Sequence, residues 1–132
     1  MEGATSQIKI ESYGLQVEWE SQGNTELGIE FEYVSGNEDH SDGANINRNA
    51  YTLMMYQPIT DTITPYVRYE YLEPNKNITS DEASVLILGS NILIDENMFL
   101  KIELDHFKGE DNNASVGGAS YSELKISLSV GF

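Results

Sequence analysis

The stretch YSELKISLSVGF, residues 121–132, alternates without a break. Leu124, Ile126, Leu128, Val130 and Phe132 fall on one side of an extended chain. Glu123, Lys125, Ser127, Ser129 and Gly131 fall on the other. Period two over this length is a β-strand with one apolar and one polar face. A soluble barrel turns such an apolar row inward, whereas a membrane barrel turns it outward to lipid.

Working outward from this stretch, the same period recurs and helical periodicity is absent. The pattern predicts seven strands. The first, at about 7–21, sets Tyr13, Leu15, Val17 and Trp19 against Gly14, Gln16, Glu18 and Glu20. Its beginning, QIKIES, has the opposite parity, which predicts a β-bulge near Ser12 or an extra short strand. The second, at about 26–34, sets Leu27, Ile29, Phe31 and Tyr33 against four residues that include Glu30 and Glu32. The third (about 49–57) and fifth (about 84–94) are apolar on both sides. The fourth (about 63–72) opposes Val67, Tyr69 and Tyr71 to Tyr66, Arg68 and Glu70, and the sixth (about 98–108) opposes Leu100, Ile102 and Leu104 to Lys101, Glu103 and Asp105.

Between these strands, QGNT (22–25), ITDT (59–62) and DEN (95–97) read as tight turns. Segments 35–48, 73–83 and 109–120 read as long polar loops. Short and long connections alternate, so the tight turns are expected at one end of an up-and-down meander and the long loops at the other.

Composition narrows the classes. The 132 residues form one domain, 1–132. Cysteine is absent, which removes disulfides and thiolate metal sites. A formal charge of −15 with seven Lys and Arg residues excludes a nucleic-acid reader built on phosphate contacts, so no nucleic-acid partner is expected. The start, MEGATSQ, has neither a charged nor an apolar signal region, so the chain is expected to stand without its signal peptide.

The polar faces carry Glu30, Glu32, Arg68, Glu70, Lys101, Glu103, Asp105, Glu123 and Lys125. Charges that recur along whole strands need water on that side. Strands of about 9–11 residues, aromatic residues near strand ends and sorted loops all fit a membrane barrel, in which these charges line a wet lumen.

The final strand closes on Phe132, with Val130, Leu128, Ile126 and Leu124 before it and Tyr121 at its far end. This ending resembles bacterial outer-membrane β-barrel proteins, and TPYVRYEYLEPN (64–75) resembles strand-to-loop segments of porin-like channels. The resemblance implies an all-β, up-and-down antiparallel transmembrane barrel in the outer membrane, surrounded by lipid and lipopolysaccharide. It also implies that Tyr121, Leu128, Val130 and Phe132 form a signal read by the barrel assembly machinery. Single-chain bacterial barrels have an even number of strands. Either QIKIE adds an eighth strand, or the chain is the C-terminal part of a larger porin-like barrel, or several chains complete one barrel.

The expected function is a porin-like channel for passive diffusion of small hydrophilic solutes, cation-preferring because acids outnumber bases on the polar faces. One alternative is a small closed barrel with a structural or adhesion role through its long loops. Another is a soluble lipid-binding barrel. No enzyme activity, cofactor or metal is expected. His106, in ELDHFKG, has no serine two positions on to make a nucleophile pair, and His40 sits in the acidic segment NEDHSDG. Measured against a twelve-residue calcium loop, NEDHSDG has Glu38 where the first Asp belongs, and Asn49 stands at the closing Glu position.

Overall fold

The computed structural model describes residues 8–21, 26–41, 43, 45–111 and 118–131. They form seven strands: β1 (Ile8–Glu20), β2 (Gly28–His40), β3 (Asn45–Tyr56), β4 (Ile63–Glu73), β5 (Ala83–Asp95), β6 (Met98–Gly109) and β7 (Ser120–Val130). Each strand pairs antiparallel with its neighbours in chain order, giving one up-and-down sheet β1-β2-β3-β4-β5-β6-β7. Among the described residues there is no helix, and β1 and β7 each pair on one side only. The sheet is therefore open, as part of a barrel wall is before its ends meet. Phe132 lies outside the described residues.

The two faces are not equally covered. On the face carrying Leu124, Ile126 and Leu128, side chains stand open: Leu124 is 64% exposed, Ile126 65% and Trp19 53%. On the opposite face Ile87 is 3% exposed and Asp105 1%, and Tyr66, Val85 and Ile87 form a buried cluster with Met54, Tyr56 and Phe107 against it. In a flat sheet both faces would be alike. The contrast means that the sheet curls with the charge-bearing face inside and the apolar rows outside. The two strands that read as apolar on both sides, β3 and β5, supply Met54, Tyr56, Val85 and Ile87 to this inner cluster.

Three details differ from the sequence reading. β1 is one continuous strand, paired with β2 from Ile8↔His40 to Glu20↔Gly28 without a bulge or a separate short strand. Ile10 consequently falls on the inner face with Gly14 and Glu18. Second, segment 35–48 is not a long loop. β2 runs to His40 and β3 begins at Asn45, so only 41–44 connect them. Polar cross-strand bonds hold this extension: Ser35 Oγ and Tyr33 Oη donate to Asn49 Oδ1, at 3.0 and 3.1 Å, and Arg48 lies 3.2 Å from Glu38. Third, the β1–β2 connection, 21–27, is longer than 41–44, which reverses the expected sorting for this pair. The sorting holds for the others, with 57–62 and 96–97 short beside 74–82 and 110–119.

The outer rows have a rim. Tyr33, Tyr51 and Tyr71 are direct cross-strand partners, and the Tyr51 and Tyr71 rings stack at 4.9 Å. Beyond this row, toward 41–44, the outer face turns polar with Lys9, Glu11, Asn37, Asp39, Asn45 and Asn47. From Tyr13 to Trp19 the apolar stretch covers roughly 20 Å along the strand.

Two glycines admit the inner tyrosines. A Cβ at Gly89 would meet the Tyr66 ring at 2.3 Å, and one at Gly28 would meet the Tyr56 ring at 2.0 Å. Each ring therefore lies over the backbone of its cross-strand partner. Gly89→Ala is expected to destabilise the folded protein by about 1–3 kcal/mol through overpacking. Gly14→Ala, whose nearest neighbour would be a backbone oxygen at 3.7 Å, should stay within about 0.5 kcal/mol. Urea unfolding of both variants tests the contrast.

Candidate functional site

Among the described residues, most chemistry-bearing side chains converge on the inner face. Strand register orders it in lateral rows. One row crosses all seven strands as Glu20, Gly28, Tyr56, Tyr66, Gly89, Glu103 and Lys125. It is nearly a mirror image about the β3–β4 pair. Tyr56 reaches over Gly28 and donates its hydroxyl to Glu20 Oε1 at 2.7 Å. Tyr66 reaches over Gly89 and donates to Glu103 Oε1. Each tyrosine thus ties together strands that are not adjacent, β3 to β1 and β4 to β6. A charged acceptor strengthens such a bond relative to a neutral one.

The next row toward 41–44 is Glu18, Glu30, Met54, Arg68, Ile87, Asp105 and Glu123. The one after it includes Gln16, Glu32, Thr52, Glu70, Val85, Phe107 and Tyr121. All nine residues expected to line a lumen, Glu30, Glu32, Arg68, Glu70, Lys101, Glu103, Asp105, Glu123 and Lys125, therefore share the inner face. Of the four residues expected in the assembly signal, Leu128 and Val130 lie on the outer face. Tyr121 does not join them: it is on the inner face, stacked on Phe107 at 4.8 Å.

Charge is distributed unevenly across this face. On β4 to β7 the bases are matched. Arg68 lies 2.9 Å from Glu70, Lys101 lies 2.7 Å from Glu103, and Lys125 lies 2.6 Å from Asp105 and 3.6 Å from Glu123. Asp105 Oδ1 is buried and has no hydrogen-bond partner among the described residues. On β1 and β2 the acids are in excess. Glu18 and Glu30 stand directly opposite each other, and neither they nor Glu32 enters an ion pair among the described residues. Like charges facing across a strand pair repel, and they are tolerated where water or mobile cations screen them. Hollows of about 650 and 220 Å³ open along this face, the larger beside Tyr56, Tyr66 and Lys101, the smaller beside Glu30, Glu32 and Arg68.

Both histidines have partners the sequence did not reveal. His106 is on the outer face opposite Ser122, whose Oγ lies 2.9 Å from Nδ1, and Ser120 Oγ lies 3.2 Å from Nε2. Only strand register brings these serines to the ring. In a serine–histidine nucleophile pair a carboxylate orients the second nitrogen; here a second serine does. His40 Nε2 lies 2.8 Å from Glu38 Oε1, beside Arg48. Glu38 is therefore engaged by two cationic or donor groups.

The tyrosine row was the least visible feature in the sequence. Its signal is a glycine inside a strand, at 28 and 89, which marks a close approach by another group. Compared with known proteins, the chain matches no family model, no curated protein and no solved structure.

Lys125→Met would leave the carboxylate of Asp105 buried without its cation. The expected loss is about 1–3 kcal/mol, discounted because Lys125 itself is half exposed. In an Asp105→Leu background the same substitution should cost much less, with a coupling of about 1 kcal/mol or more in a double-mutant cycle.

Proposed function

We propose that these seven strands are part of the wall of an outer-membrane β-barrel that admits small hydrophilic solutes passively and prefers cations. The observation that carries the reading is the inverted burial: hydrocarbon side chains outside, charges on the packed inner side. In water, whole rows of exposed Leu, Ile and Val would be a large unpartnered apolar patch. Against lipid the same rows are solvated, and charges on the other face meet a wet lumen. The tyrosine row at one edge of the apolar stretch matches an interfacial girdle. A soluble barrel carrying an apolar ligand would need the opposite facing.

Strand count bears on closure. With seven antiparallel strands, β1 and β7 run in the same direction. Bringing them together in one chain, or end to end between copies arranged in a ring, would make a parallel seam. An all-antiparallel wall is completed instead by an odd number of further strands between β7 and β1. With a total of 14 to 18 strands the lumen is an aqueous channel, whereas eight strands leave it filled by side chains. The cation preference follows from Glu18, Glu30 and Glu32, none of which enters an ion pair among the described residues. The wall requires no covalent chemistry and no cofactor. Its other partners in this reading are lipopolysaccharide and the assembly machinery, which would read Leu128, Val130 and Phe132, with Tyr121 at the far end of the strand.

Spin labels placed along β7 of the complete barrel in vesicles test the facing. Labels at 124, 126 and 128 should respond to a lipid-soluble relaxant, and labels at 123, 125 and 127 to a water-soluble one. The reverse pattern would sink the reading. In planar bilayers, Glu18→Gln, Glu30→Gln and Glu32→Gln together should lower the potassium-to-chloride permeability ratio by about twofold or more. Clear anion selectivity in the unmodified barrel would also count against it.

A further inference from the structure

Toward 41–44 the inner face changes character. The row above Glu32 and Glu70 is Gly14, Val34, Ala50, Leu72, Ala83 and Gly109. The row above that is Ser12, Gly36 and Arg48, and beyond it Ile10 and Ile46 both pair with Glu38. These apolar groups are open: Ile10 is 71% exposed, Leu72 44% and Val34 39%. Two hollows flank Leu72. One, of about 300 Å³, is lined by Ile10, Val34 and Ile46 together with the ion pair of Glu38 and Arg48, and the other, of about 350 Å³, by Ala83, Val85 and Phe107. The sequence marks this belt by the parity change in QIKIES. The outer face turns polar at the level where the inner face turns apolar.

An apolar belt on an otherwise charged inner wall accepts an apolar body. What stands next to the belt sets the polarity of the rest of the ligand. Glu32 lies two residues from Val34 and Glu70 two residues from Leu72, on the same face. That spacing places each carboxylate about 7 Å along the strand from the belt. Arg68 is paired with Glu70, whereas Glu32, in the same hollow, enters no ion pair among the described residues, and Glu30, Glu32 and Glu70 outnumber the one base there. We infer that this belt is a binding site for an organic cation with an apolar body, its hydrocarbon on Val34 and Leu72 and its charge toward Glu32. The inference rests on the proposed lumen facing and adds a ligand class to it: among permeating cations, those with an aromatic or branched alkyl body are retained longest.

The test uses the complete barrel containing this chain, reconstituted in lipid vesicles. The chain contributes no cysteine of its own. Val34→Cys therefore gives a reporter that a water-soluble maleimide labels. Phenyltrimethylammonium should slow labelling at least about fivefold more than tetramethylammonium at the same concentration, since the two differ only by the apolar body. Leu72→Asn should remove that difference, and Glu32→Gln should weaken protection by both cations. Equal protection by the two cations would overturn the site. So would protection by neutral benzyl alcohol as strong as that by the phenyl cation. Failure of maleimide to label Cys at 34 would also overturn it, by showing that another segment covers the belt. Potassium current is read separately in the same barrel. Differential protection without current would refute the channel and leave the site, whereas current without differential protection would do the reverse.

Discussion

Curling a β-sheet brings the side chains on its inner face closer together, and at the level of Tyr56 and Tyr66 the space is made by removing Cβ from the backbone. Gly28 and Gly89 leave room for two rings to lie flat across a strand. Lying flat carries each hydroxyl past the neighbouring strand to a carboxylate on the next, Glu20 or Glu103. The ring fills the gap left by glycine, and the hydrogen bond fixes how far the outer strands turn inward. Around this row the buried cluster of Tyr66, Val85 and Ile87 assembles, and the ion pairs of β4 to β7 take their places beside it.

The ion pairs and the surplus acids do different work. Lys125 with Asp105 and Lys101 with Glu103 satisfy charges that sit in the most covered part of the wall, where a lone carboxylate would be costly. Glu18, Glu30 and Glu32 stand on the more open side of the sheet and enter no ion pair among the described residues. One half of the inner face is thus nearly balanced, with three bases to four acids, and structural, and the other carries most of the field.

Strand positions and facing were legible because a half-buried strand writes its environment into every second residue. Leu124 to Val130 and Tyr13 to Trp19 needed no further information. The extension of β2 and β3 through Ser35–His40 and Asn45–Arg48 was not legible, since Ser, Gly, Asn and Glu alternate in nothing that hydropathy can register. Its pairing is held by Asn49 and Glu38 acting across the hairpin, and those partners exist only once the register is set. The out-of-phase Ile10 suggested a bulge because period two assumes one environment along a strand. β1 instead runs through two, and its apolar side changes face where the outer surface turns polar. The partners of His106 were hidden for the same reason as those of Asn49: Ser120 and Ser122 are distant in sequence and adjacent only across β6 and β7.

The tyrosine bonds also impose an order on assembly. Contacts between strands join sequence neighbours throughout, so each hairpin can zip from its own turn with little loop-closure entropy. The bonds from Tyr56 to Glu20 and from Tyr66 to Glu103 span 36 and 37 residues and skip one strand each. Neither can form until two consecutive hairpins are already paired. They act as latches that close late, converting a flat, growing meander into a curved segment. The near-symmetry of the row sets one latch on each side of the β3–β4 hairpin, so the two halves of the segment can curve independently before the edges of β1 and β7 meet their neighbours.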